Sequence, residues 1–251
     1  MKALVVANWK MNPATMREAK KLFDATKKIA DKAKKSTIIV APPVVFLREL
    51  SSSYRGSRVS FAAQNAHFEA HGAHTGETSL AQFKDARAKF VIVGHAERRM
   101  AGETNEDTAK KVAAALSLKM TPILCVGESR RTEDGEQFDV VREQLRAGLA
   151  SVAPSGINKV LLVYEPLWTI GASTTMNPRD MHQMAIFMRK CVVETHGEGG
   201  RLLKILYGGS VDDTNAAAML KDGDVHGFLI GRAGLDAAEF GKLVASLEDA
   251  A

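Results

Sequence analysis

Residues 203–234 read LKILYGGSVDDTNAAAMLKDGDVHGFLIGRAG. A short apolar run, Leu203–Tyr207, ends in the glycine-rich turn Gly208-Gly209-Ser210. Asp212-Asp213 then open a helix, which Gly223 punctuates, and a second apolar run, Gly227–Ile230, ends in Gly231-Arg232-Ala233-Gly234. Runs this short and this uniformly apolar read as strands buried on both faces. Strand, helix and strand in that order predict a parallel pair joined by a right-handed crossover.

The same alternation extends back to the first residue. Six further strand candidates precede this pair: Ala3–Ala7, Thr37–Ala41, Arg58–Ala63, Phe90–Val93, Thr121–Val126 and Val160–Tyr164. Helix-opening signals lie between them. Asn12-Pro13 places proline at a first turn, Thr104-Asn105-Glu106-Asp107 offers a cap followed by acids, and Asn177-Pro178-Arg179-Asp180 repeats the proline signal. Eight strands, each followed by a helical segment, within 251 residues predict an α/β fold. The expected form is a single-domain (β/α)8 TIM barrel of eight parallel strands, with residues 1–251 as one domain. An open doubly wound sheet is the competing architecture, but no Gly-x-Gly-x-x-Gly turn follows the first strand, and no Ser/Gly linker divides the chain.

Composition excludes several classes. With 45% hydrophobic and 25% charged residues, 20 Gly and 7 Pro, the chain is neither collagen-like nor disordered. Cys125 and Cys191 are its two cysteines, a count that fits a reduced, intracellular protein. No apolar stretch approaches the roughly 18 residues of a membrane span. The apolar start ends at Asn8 and Lys10, too early for a secretory segment, so the expected location is cytoplasmic. The net charge is +5. Much of it sits at Lys20, Lys21, Lys27, Lys28, Lys32, Lys34 and Lys35, on one helix and its exit. Few aromatics accompany it, which argues against nucleic acid; a mild positive field favours a small anionic ligand.

Polar groups collect at the ends of the candidate strands. Asn8-Trp9-Lys10 ends the first, Gly94-His95-Ala96-Glu97-Arg98-Arg99 the fourth, Glu165-Pro166-Leu167-Trp168 the sixth, and the two glycine turns the seventh and eighth. A closed barrel gathers all of them at its C-terminal face, where barrel enzymes build their sites. An amine, an imidazole, a carboxylate and two glycine-rich turns would then share one mouth. Either turn alone reads as a tight strand-to-helix connection; two at adjacent strand ends read as a phosphate cradle of backbone N–H groups.

The chain resembles the triosephosphate isomerase family along essentially its whole length. The resemblance rests on Ala7-Asn8-Trp9-Lys10-Met11-Asn12, Thr75-Gly76-Glu77, Val93-Gly94-His95-Ala96-Glu97-Arg98-Arg99, Tyr164–Gly171 and Tyr207-Gly208-Gly209-Ser210-Val211. It implies interconversion of dihydroxyacetone phosphate and D-glyceraldehyde 3-phosphate through an enediolate, in glycolysis and gluconeogenesis, without cofactor or metal. It implies Glu165 as the base, His95 as the group that polarises the carbonyl and shuttles protons, and Lys10 as the electrostatic stabiliser. Asn8 would fix the carbonyl oxygen, and Glu97 would pair with Lys10. Gly171, Ser210, Gly231 and Arg232 would supply backbone donors to the phosphate. Pro166–Met176 resembles the family's closing lid. His67–Ser79 resembles its intersubunit loop, whose Thr75 would reach the partner's site in a homodimer. His67, His71 and His74 invite a zinc reading, but no thiolate or regular helix accompanies them.

Four departures modify these expectations. Ala96 stands where the family commonly has a serine whose hydroxyl holds the base at rest, so a lower turnover is expected that Ala96→Ser would raise. Arg232 replaces a glycine; a negative φ is expected there, with the side chain directed away from the phosphate, so that Arg232→Gly binds substrate almost as well. Ser173 and Thr174 replace a Gly and a Lys at the lid's far end. His74 replaces an aromatic residue near the partner contact and should weaken dimerisation once protonated below about pH 6.5. Two other readings compete: a Schiff-base aldolase using Lys10, and a non-catalytic phosphate-binding scaffold on the same fold.

Overall fold

The computed structural model describes residues 2–169 and 175–250. Its strands are β1 (Ala3–Asn8), β2 (Ser36–Ala41), β3 (Val59–Ala63), β4 (Phe90–Val93), β5 (Thr121–Val126), β6 (Leu161–Tyr164), β7 (Lys204–Tyr207) and β8 (Gly227–Ile230). All neighbours are parallel and pair in chain order, and β1 joins both β2 and β8, closing the barrel. The helices around it are α1 (Met16–Lys32), α2 (Val44–Ser53), α3 (Leu80–Asp85), α4 (Ala96–Met100), α5 (Asn105–Ser117), α6 (Glu136–Leu149), α7 (Pro178–His196), α8 (Ala216–Asp222) and α9 (Ala237–Ala250). The (β/α)8 expectation holds, with one addition: the connection from β4 to β5 carries two helices, and the shorter, α4, begins directly at His95.

The expected openings of α5 and α7 are observed, with Thr104 and Asn177 accepting from the amides of Asp107 and Asp180. Two others shift. The helix α1 starts at Met16, not at Asn12-Pro13, because Thr15 and Glu18 form a reciprocal capping box that satisfies two end groups at once. Asp212 does not open α8. Its Oδ1 accepts the amides of Thr214 and Asn215 at 2.9 and 3.2 Å, an Asx turn that delays the helix to Ala216.

Strand alternation sorts the core into two layers. Val6, Ile39, Ala62, Ile92, Ile123, Val163, Leu206 and Leu229 fill the barrel interior. Their sequence neighbours Val5, Ile38, Val91 and Leu162 belong to the larger layer under the helices, with Phe23, Leu47, Leu145, Met188 and Leu243. Each buried aliphatic side chain contributes about 1.5–3 kcal/mol, so the inner layer is a packed floor beneath the C-terminal mouth. Cys125 and Cys191 are buried and unpaired. Among the described residues, no helix is long and apolar enough to cross a membrane.

Candidate active site

At the end of β6, barrel pairing continues one residue beyond the strand. Glu165 N–H donates to Val126 O at 2.8 Å, and Gly208 N–H to Tyr164 O at 2.8 Å. The main chain of Glu165 is therefore fixed from both sides. Gly127 completes this wall: a Cβ at that position would lie 1.9 Å from Glu165 O. The Glu165 side chain is 2% exposed. Its Oε2 accepts the Ala96 N–H at 3.0 Å, and its Oε1 lies 3.3 Å from His95 Nε2. The carboxylate thus has a resting donor without the missing serine hydroxyl.

His95 precedes the first turn of α4 and is buried. Its Nδ1 accepts the Glu97 N–H at 3.2 Å. An amide can only donate, so Nδ1 carries no proton, and the neutral ring's proton lies on Nε2, facing Glu165. The 3.5 Å approach of Asn8 Nδ2 to Nε2 is then a contact between two donors rather than a hydrogen bond. The first amides of a helix lack intrahelical acceptors; in α4, Ala96 N–H serves Glu165 and Glu97 N–H serves His95.

Lys10 follows β1 with a φ of +51°, a sparsely populated conformation for a non-glycine residue. Two contacts hold it there: Asn8 Oδ1 accepts the Lys10 N–H at 3.0 Å, and Gln64 Nε2 donates to both Lys10 O and Ala41 O at 2.8 Å. Lys10 Nζ meets Glu97 Oε1 at 2.5 Å. An amine engaged this way is a fixed positive charge, the opposite of the free amine that an imine mechanism needs.

The two glycine turns face these groups. A Cβ at Gly209 would lie 2.1 Å from Tyr207 Oη, so only glycine fits. Gly209, Ser210, Gly231 and Arg232 line one cavity of about 260 Å³ together with Asn8, Lys10, His95 and Glu165. Asp212 and Glu239 border it too. Arg232 has no positive φ, as expected. Arg232 is exposed and borders the cavity, and its charge reaches the Asp212 carboxyl. That carboxyl is held below its ordinary value mainly by the Thr214 hydroxyl, with Arg232 a smaller contributor. Gly171, Ser173 and Thr174 lie outside the described residues. Thr75 and Glu97 do not border the cavity in this single chain. Thr75 is exposed on a loop closed by the His67–Ser79 bridge.

Three groups escaped the reading of the sequence. Gln64 is one; its signal was a polar residue directly after β3. Glu128, 1% exposed, is the second: it accepts from Tyr164 Oη at 2.7 and 2.9 Å and from Trp168 Nε1 at 2.9 Å, which fixes the chain leaving Glu165. Cys125 is the third. It is fully buried beside Glu165, and burial pushes its thiol well up, so it stays protonated.

A closed β/α barrel with a desolvated carboxylate against a neutral imidazole, a fixed cation and a glycine-lined cradle defines an acid–base barrel enzyme. The family model described as triosephosphate isomerase matches residues 3–247. Proteins named triosephosphate isomerase align along nearly their full length. The one from Endomicrobium trichonymphae is 39% identical over 97% of this chain and 98% of its own. The one from Aquifex aeolicus is 36% identical over 98% and 100%. That from Caldanaerobacter subterraneus is 37% identical over 96% and 98%. The chain belongs to the triosephosphate isomerase family.

Proposed function

We propose that Glu165 and His95 run the family's reaction in this chain, the interconversion of dihydroxyacetone phosphate and D-glyceraldehyde 3-phosphate. The observation that carries this assignment is their 3.3 Å approach in a cavity that Ser210 and Gly231 also line. Glu165 takes a proton from the carbon beside the carbonyl. His95 Nε2–H donates to the carbonyl oxygen, giving an enediol(ate), and the ring regains its proton from the neighbouring hydroxyl. Glu165 returns the carbon-bound proton one atom along, so no atom is gained or lost. Burial raises the strength of each of these interactions, and Lys10 offsets the negative charge that develops on the oxygens. The substrate must displace the Ala96 N–H from Glu165 to use it as base.

The phosphate is assigned to the backbone donors of Ser210, Gly231 and Arg232, joined by Gly171. Residues 1–251 act as one domain, in the cytoplasm. The protein functions as a homodimer. Supporting this, Met11, Val44, Val45 and Met100 are exposed apolar side chains in or beside the segments after β1, β2 and β4, and Val44 shares a surface pocket with Gly76, Glu77 and Thr78 of the loop that bears Thr75. A coupled assay with each triose phosphate, on the wild type and on Glu165→Gln, tests the assignment: conversion by the first and its near-absence in the second are expected. A wild type that leaves both sugars unconverted, or a variant as fast as wild type, overturns it.

A further inference from the structure

We infer that the Arg232 guanidinium, in addition to the backbone of its turn, grips the phosphate of the bound substrate. This rests on the functional reading above and adds a side-chain cation to a cradle otherwise made of backbone. Arg232 begins a single 3-10 turn, residues 232–235, tied by Gly234 N–H to Gly231 O at 2.9 Å. Arg232 lines the cavity and is exposed.

The charges around the cavity make the case. Three carboxylates border it, those of Glu165, Asp212 and Glu239, against two cations, Lys10 and Arg232. Lys10 is already matched to Glu97 at 2.5 Å. Without Arg232, a dianionic phosphate would enter a cavity edged by acids on both sides of its cradle. Asp212 is committed elsewhere, its Oδ1 accepting the Thr214 hydroxyl at 2.6 Å and the amides of Thr214 and Asn215. Among the described residues, Arg232 has no ion pair within 4 Å and no hydrogen bond through its side chain. The guanidinium of a residue that lines an anion cradle, with no carboxylate of its own, has donors free for a phosphate, which it can meet with two parallel hydrogen bonds.

The test uses Arg232→Gly, Arg232→Gln and Arg232→Lys, with inorganic phosphate as the probe, followed both as a competitive inhibitor and by calorimetric titration. Removing the cation should raise KM and the phosphate dissociation constant about tenfold in the Gly and Gln variants, with kcat within about twofold; Lys should recover part of the loss. Phosphate binding within twofold of wild type in both Gly and Gln variants overturns the inference, as does a fall in kcat with binding unmoved. Calorimetry separates this from the reading beneath it. A wild type that binds phosphate through Arg232 but isomerises nothing sinks the assigned reaction and leaves this inference standing.

Discussion

The two sides of the cavity are built on opposite principles. On the proton-handling side, Glu165, His95 and Lys10 are side chains, each oriented by a second group: the Ala96 amide, the Glu97 amide and the Glu97 carboxylate. Glu165 and His95 are buried. On the side proposed for the anion, the groups are mostly main-chain amides of half-exposed glycine turns, with one exposed arginine. Proton transfer demands a desolvated, aimed carboxylate, whereas a phosphate needs several donors with close access and tolerates water at the rim. One side therefore fails by misplacing an atom, the other by losing a fraction of its affinity.

The contrast is broken most directly at Glu165. Glu165→Gln should lower kcat by about a thousandfold or more, within the range of general-base contributions, with unchanged circular dichroism. A loss under tenfold would place the base elsewhere. Next comes Gly127→Ala, which touches no substrate. Its methyl would collide with Glu165 O, so overpacking should cost about 1–3 kcal/mol of stability and kcat should drop well before KM moves. Equal kcat and melting temperature would show that the wall yields. Ala96→Ser comes third. The amide already holds the carboxylate at 3.0 Å, so the added hydroxyl should raise kcat by less than about tenfold, the scale of one hydrogen bond. Identical kinetics would mean that the amide suffices.

The smallest effect belongs to the proposed dimer contact. His74 stacks on His67 at 4.0 Å between ring centres, and its Nε2 meets Glu69 Oε2 at 3.0 Å. The hydrogen bond from His74 lowers the Glu69 carboxyl, so Glu69 stays ionised and can neutralise one imidazolium. Two imidazolium charges stacked this closely would repel more than one Glu69 carboxylate cancels, so subunit affinity should fall a few-fold in acid. Sedimentation at pH 5.5 and 8 checks this; equal affinities would remove the idea.

The fold was legible because its signal repeats: eight apolar runs carry a parallel sheet whatever their exact ends, and the polar motifs at those ends need only closure to meet. Helix starts were less secure where two signals competed, as at Asn12-Pro13 and Thr15, since reciprocal capping outranks a proline. The partners that aim the site were hidden for a different reason. Gln64 reaches Lys10 across 54 positions and Glu128 reaches Trp168 across 40. Gly127 matters through an atom it lacks. The acids that share the cavity with Arg232, Asp212 and Glu239, arrive from separate elements.

The short helix after β4 gives the base and the imidazole a common mount. Consecutive amides of its first turn hold both at rest, while the main chain of Glu165 hangs from the barrel strands. The contact that parks the carboxylate is therefore the one an arriving sugar has to break, and from then on the barrel strands alone keep Glu165 in place.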